Sequence, residues 1–254
     1  MRHRLTSFLW AALVFTSPAL HAQTAAEYIQ LGDKAYAARN AAEALKQYDA
    51  ALGIAPQDVE ALWKSAREGV DLAEFEGSAD QRHSLYNTAE QRAKLAVQLA
   101  PNNADTHFTL ARVLGRIALS LGVRDRIRYG TDVHDQAVTC LKLDPKHPGC
   151  LHVLGVWNAE IMRLNSFSRM IAKTFLGGRV FNEASWANAR KYLESSVTID
   201  PRRIVHRLDL GRVYADMGMK DKARTQFESV INGELIDYND PQYKSEAQRA
   251  LQKL

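Results

Sequence analysis

Three columns of small residues, in register along the chain, constrain this sequence more than any other feature. Pro56, Pro101, Pro145 and Pro201 each close a segment, and the segments align on their small positions. The first column reads Gly32, Ala66, Ala111, Gly155 and Gly211; the second reads Ala44, Ala89, Val133, Ala189 and Ala223. The third reads Ala51, Ala96, Cys140, Ser196 and Val230. Side chains of little bulk let two helices approach closely, and in the first segment Tyr28, Leu31 and Tyr48 fill what remains. Each proline stops the second helix of its pair, because it has no N–H to donate to the preceding turn. Such helix–turn–helix segments bury their apolar faces only by stacking on one another, so the columns predict an all-α solenoid.

Within residues 25–56 the positions of Leu31, Gly32, Ala44, Tyr48, Ala51 and Pro56 have the spacing of a tetratricopeptide repeat (TPR). Units are predicted at about 25–58, 59–103, 104–147, 148–203 and 204–237. Residues 241–254, with Tyr243, Ala247 and Leu251 at helical spacing, predict a helix capping the last apolar face. The four prolines are separated by 45, 44 and 56 residues, more than the usual TPR period. Helical periodicity persists through 59–75 and 79–99, broken at Gly77-Ser78, so the middle helices are long rather than the loops. In the fourth unit the extra length is 165–182, with Phe167, Met170, Ile171, Phe175 and Leu176 before Gly177-Gly178. It predicts an added amphipathic helix packed on the array or, with Arg169, Lys173 and Arg179 beside the apolar residues, a lid or membrane-contacting helix.

The first 22 residues read as a signal peptide. Arg2 and Arg4 form a basic head, Phe8 to Phe15 an apolar run, and Ala19-Leu20-His21-Ala22 a cleavage site before Gln23, with a cut after Ala19 as the alternative. The run is too short to span a bilayer. Export to a bacterial periplasm or beyond is the expectation, a retained N-terminal anchor the alternative, with no transmembrane span once the signal is removed. Taking Arg2 and Arg4 from 33 basic residues leaves 31 against 29 acids, a formal charge of +2, so no nucleic-acid partner is indicated. The two cysteines, Cys140 and Cys150, lie where one helix end meets the next helix start. An oxidising compartment could join them in a disulfide; otherwise they are small buried thiols.

No pattern of catalysis is present. A glycine-rich phosphate loop is missing, as is a His-Glu-x-x-His helix. Cys140, His147, Cys150 and His152 cluster in sequence, but their spacing matches none of the usual zinc pairs and His152 falls on another helix face. Asp71 and Glu74 read as solvated carboxylates. Neither an enzyme, a cofactor nor a metal is expected.

Binding is better signalled. In each unit's first helix, one stripe would line the concave groove of a TPR array. Its first row is Ile29, Trp63, Phe108, His152 and Leu208; its second is Asp33, Arg67, Arg112, Val156 and Arg212; its third is Tyr36, Val70, Gly115, Ala159 and Ala215. The expected site is therefore Trp63, Arg67, Phe108, Arg112, His152, Val156, Leu208 and Arg212, an apolar floor with aromatic anchors and three arginines. Ile29 and Asp33 stand where a clamp for a chaperone-tail carboxylate needs lysine and asparagine. An amphipathic helix or extended peptide with apolar side chains and a few acids fits this groove, and so does an acyl chain with an anionic head whose phosphate the arginines would hold. Alternatively, the inserted helices cover these residues as ordinary core. Arg124, Arg126 and Arg128, and likewise Arg202, Arg203 and Arg207, read as solvated faces pairing with acids, or as docking surfaces for an anionic lipid or acidic partner.

Residues 104–254 resemble the regulator of microtubule dynamics family. The likeness is carried by Leu141-Lys142-Leu143-Asp144-Pro145-Lys146, by His152-Val153-Leu154-Gly155-Val156-Trp157, by Met170-Ile171-Ala172-Lys173-Thr174-Phe175-Leu176-Gly177 and by 184–201. The resemblance implies an irregular TPR-like domain with long helices. Eukaryotic members are associated with microtubules, and a mitochondrial relative with organelle contacts and phospholipid binding. The export signal sets this chain apart, so what the resemblance implies here is the fold and an apolar ligand, not microtubule binding.

Overall fold

Most helices begin where a side chain can take the first free amides. The computed structural model describes residues 23–166, 168–170 and 179–254; the predicted signal segment and half of the fourth unit's predicted amphipathic insertion, 167 and 171–178, lie outside these residues. Helix α1 (Ala25–Ala37) opens on a capping box in which Thr24 and Glu27 serve each other's amides. Asn40, Asp58, Ser78 and Asn103 cap α2 (Ala41–Ile54), α3 (Val59–Glu74), α4 (Ala79–Leu99) and α5 (Ala104–Ser120). Helix α6 (Val123–Leu143) follows, and α7 (Pro148–Arg163) opens on the imidazole of His147. After the single turn α8 (Arg179–Asn182), Ser185 caps α9 (Trp186–Ile199), and α10 (Ile204–Asp216), α11 (Lys220–Asn232) and α12 (Asp240–Leu251) complete the chain. No strand occurs among the described residues.

The columns of small residues are the places where paired helices touch. A Cβ on Gly32 would overlap the Tyr48 ring, one on Gly155 the Leu193 side chain, and one on Gly211 the Phe227 ring. Those three partners are themselves fully buried. Turn geometry repeats as well: Gly218 has φ +74° between α10 and α11, and at the equivalent place between α1 and α2 Arg39 has φ 59°. An arginine tolerates that left-handed backbone less well than glycine, and its guanidinium is tied down, Nη1 donating to the Leu235 carbonyl at 3.1 Å.

That last bond belongs to the feature the repeat pattern does not contain. The cap packs on α10 and α11, Tyr243 and Ala247 joining the Leu208, Val213 and Phe227 cluster. It also reaches the other end of the array. Tyr36 donates to Asp237 at 3.2 Å, Asn239 Nδ2 to the Asp71 carbonyl at 2.9 Å, and Tyr243 to Glu74 at 2.8 Å. The Tyr243 ring meets Phe75 edge-on at 5.7 Å. Buried Asp240 shapes the arm, its Oδ2 accepting from the amides of Ile236 and Asp237 at 2.7 Å each. Residues 233–243 thus close the solenoid on its concave side.

Candidate functional site

Closure converts the groove into a cavity of about 330 Å³, at the lower end of the range for small-ligand sites. Seven of the eight predicted site residues line it: Trp63, Arg67, Phe108, Arg112, His152, Val156 and Arg212. Leu208 does not; it is fully buried between α10 and its neighbours. Tyr36 and Gly115 from the third row reach the wall, whereas Ile29, Val70 and Ala159 are core. What covers the groove is the C-terminal arm, through Asp237, Asn239 and Tyr243.

The arginines are not free, and this corrects the expectation of an open phosphate clamp. Arg112 is paired with Asp71, Arg116 with Glu74 at 2.8 Å and Arg67 with Glu68 at 2.6 Å. Arg212 meets Asp209 at 2.9 Å and Glu246 at 2.5 Å, and Arg203 pairs with Asp200 and Asp237. Asp71 and Glu74 are therefore not solvated carboxylates; their side chains are 15% and 10% exposed. In α3 these acids follow one and two turns beyond Arg67, Asp71 lining the cavity, and α5 brings Arg112 and Arg116 against them. Burial pushes the Glu74 carboxyl up, against the pull of Arg116, Arg112 and the Tyr243 hydroxyl. Of the basic stretches, Arg126 pairs with Glu160 at 3.0 Å, Arg128 with Asp125, and Arg207 donates to Gln226 and the Pro201 carbonyl. The Arg124 side chain lies outside the described residues.

Histidines occupy one wall. His152 Nε2 lies 2.8 Å from Asp209, and its ring stacks on that of His206 at 4.5 Å. Burial, then the neighbouring His152 and Arg203 charges, push His206 well below 6.5, so it is neutral. Ser196 Oγ donates to the Pro148 carbonyl at 2.9 Å and lies 2.9 Å from His206 Nδ1. Ser196 is fully buried, and its hydroxyl ties α9 to the start of α7 and to α10.

Three lining residues retain an unpaired buried polar atom: Arg67 Nη2 and Arg126 Nε, both donors, and Asn239 Oδ1, an acceptor. Arg67 stacks on Tyr36, its guanidinium carbon 3.7 Å from the ring centroid. Asn239 is 1% exposed and is anchored by Asp71, one turn beyond Arg67. The apolar wall opposite is Phe108, Val153, Val156, Ile127 and Leu164. Asn239 and Asp237 escape a reading by periodicity because they stand between helices.

A family model described as regulator of microtubule dynamics protein 1-3 matches residues 27–254. The chain belongs to this family. It is 24% identical over 200 residues to regulator of microtubule dynamics protein 1 of Bos taurus, covering 77% of this chain and 62% of that protein. With protein 3 of Xenopus laevis it shares 26% identity over 113 residues, 44% of this chain and 24% of that protein. The matches therefore span less than two thirds of these relatives' own lengths. Among solved structures, a thermophilic TPR protein of Thermus thermophilus superposes with a TM-score of 0.64 at 19% identity, over 89% of this chain and 100% of that one. That likeness bears on the fold, an all-α TPR-like solenoid.

Proposed function

We propose that this member of the family is an exported, non-catalytic binding module that holds an extended segment of a protein partner in the closed cavity. One observation carries the reading. Residues lining the apolar, aromatic wall carry both kinds of unpaired atom, buried donors on Arg67 and Arg126 and a buried acceptor on Asn239. A peptide group presents one C=O and one N–H and satisfies both, whereas an acyl chain leaves both unpaired. A volume of about 330 Å³ suits a short segment. Regulation by binding agrees with the relatives' name; microtubules are not carried over.

A second reading, a phospholipid acyl chain, draws on the apolar wall of Phe108, Val156 and Ile127. Native mass spectrometry of the chain from residue 23 onward, purified gently from its own host, separates the two. The peptide reading expects an unliganded mass and Trp fluorescence titratable with short apolar peptides. Arg67→Met and Asn239→Ala should each weaken that titration by about tenfold. Stoichiometric phospholipid, insensitive to both substitutions, overturns it.

A further inference from the structure

The junction of α6 and α7 carries a second site, bordering the cavity. Cys140 in the last turn of α6 and Cys150 in the first turn of α7 are fully buried, joined as a disulfide, with Cα atoms 6.4 Å apart. Between them stands His147, and one ligating atom from each of the three lies within 4.8 Å of the others. His152, the fourth residue of the sequence cluster, is turned away to Asp209. The His147 ring is already oriented: Nδ1 accepts from the Cys150 amide at 3.2 Å and Nε2 faces Asp105 Oδ1 at 3.3 Å. Nε2 facing a carboxylate is the contact that orients a metal-binding imidazole, and Nδ1 reaches a metal by giving up the Cys150 amide that it now accepts from. Phe108 holds the other side, its ring 4.8 Å from that of His147.

We propose that the reduced chain binds one zinc-class divalent ion through Cys140, His147 and Cys150, so that disulfide and metal are alternative occupants of one helix junction. A tetrahedral ion with bonds of about 2.3 Å to sulfur and 2.0 Å to nitrogen needs sulfurs about 3.8 Å apart and nitrogen about 3.5 Å from each. With the ligand atoms within 4.8 Å of one another and the cysteine Cα atoms 6.4 Å apart, side-chain rotation after the disulfide opens supplies those separations. A dithiol reductant supplies two electrons and two protons, the S–S bond gives two thiols, and the reductant leaves as its own disulfide. Metal uptake then releases the two thiol protons. Cys150 sits where the amino end of α7 favours a thiolate. The fourth position is left to water or a ligand arriving through the cavity, which His147 and Gly149 line.

Cobalt(II) titration of the full chain after reduction and removal of the reductant tests this, with circular dichroism as the check on folding. The reduced chain should take up one cobalt with a sulfur-to-metal charge-transfer band, displaced by zinc, and the oxidised chain none. Cys140→Ser should abolish the two-thiolate band. His147→Asn, which keeps a good helix cap, should weaken binding at least tenfold, and Asp105→Asn by about tenfold. A folded reduced chain without the band overturns the proposal, as does binding unchanged by His147→Asn. Loss of helicity on reduction that cobalt does not restore also counts against it.

Discussion

Replacing Tyr243 by phenylalanine isolates the closure of the array from its packing. The ring, 4% exposed, keeps its edge-on contact with Phe75 at 5.7 Å. Only the hydroxyl is lost, which donates to Glu74 at 2.8 Å and accepts from Arg116 at 3.2 Å. A hydrogen bond to a buried charged group contributes about 1.5–3 kcal/mol. Because Arg116 still pairs with Glu74 at 2.8 Å, the carboxylate is not stranded, and a loss of about 2 kcal/mol is expected. In a chain of this size that lowers Tm by about 4–8 °C. Urea unfolding should show a lower midpoint at unchanged m-value, while Tyr238→Phe, at a residue 39% exposed, should stay within about 0.5 kcal/mol of wild type. The deficit has a pH signature. The hydroxyl lowers a Glu74 pKa that burial raises, so its removal matters most while Glu74 is ionised and fades as pH falls through that raised pKa. A loss below about 0.5 kcal/mol, or one that grows on acidification, would refute the docked arm.

Other consequences are open to the same unfolding assay. Gly155→Ala places a Cβ 2.5 Å from Leu193 Cγ and 3.2 Å from the Ala189 carbonyl, and should cost about 1–3 kcal/mol; Gly53→Ala, in open helix surface, should gain about 0.5 kcal/mol. Reducing Cys140–Cys150 without metal opens a loop of sequence separation 10 and should lower stability by about 3 kcal/mol. His206 is neutral when buried and its pKa lies well below 6.5, so the unfolded chain takes up its proton first. Stability from this group is present above about pH 6.5 and lost as pH falls toward its folded pKa; His206→Gln should flatten the difference between pH 7 and pH 5, and a slope identical to wild type would contradict its burial.

The repeat was legible because its signal is local. Gly32, Gly155 and Gly211 face Tyr48, Leu193 and Phe227 in the same hairpin, and the spacing that sets those approaches is written within one unit. Trp63, Phe108, His152 and Val156 were placed on the concave stripe by the same helical period. Leu208 was misplaced because the cap adds a further layer over the last unit and draws it into the core. Asp71 and Glu74 looked solvated since their partners, Arg112 and Arg116, come from the next unit and Tyr243 from the far end of the chain. The cysteines were left open between bridge and free thiols; the structure joins them.

Closure changes what kind of object the array is. In an open solenoid each repeat touches only its neighbours, so stability accumulates along one dimension and either end can fray alone. Here Tyr36, Asp71 and Glu74 of the first two units are bonded to Asp237, Asn239 and Tyr243, at sequence separations of 201, 168 and 169. The ends are then mutually dependent, and the wall of the cavity is made by both. The ion pairs follow from the same geometry: a closed concave face carrying Arg67, Arg112, Arg116 and Arg212 would trap unpaired positive charge, and burial of an uncompensated charge is what folding tolerates least. Acids at Glu68, Asp71, Glu74 and Asp209 neutralise each of these arginines in turn. A ligand in this cavity therefore meets an apolar wall and three unpaired hydrogen-bonding atoms rather than a basic cleft. That favours the polarity of a peptide group over the charge of a phosphate.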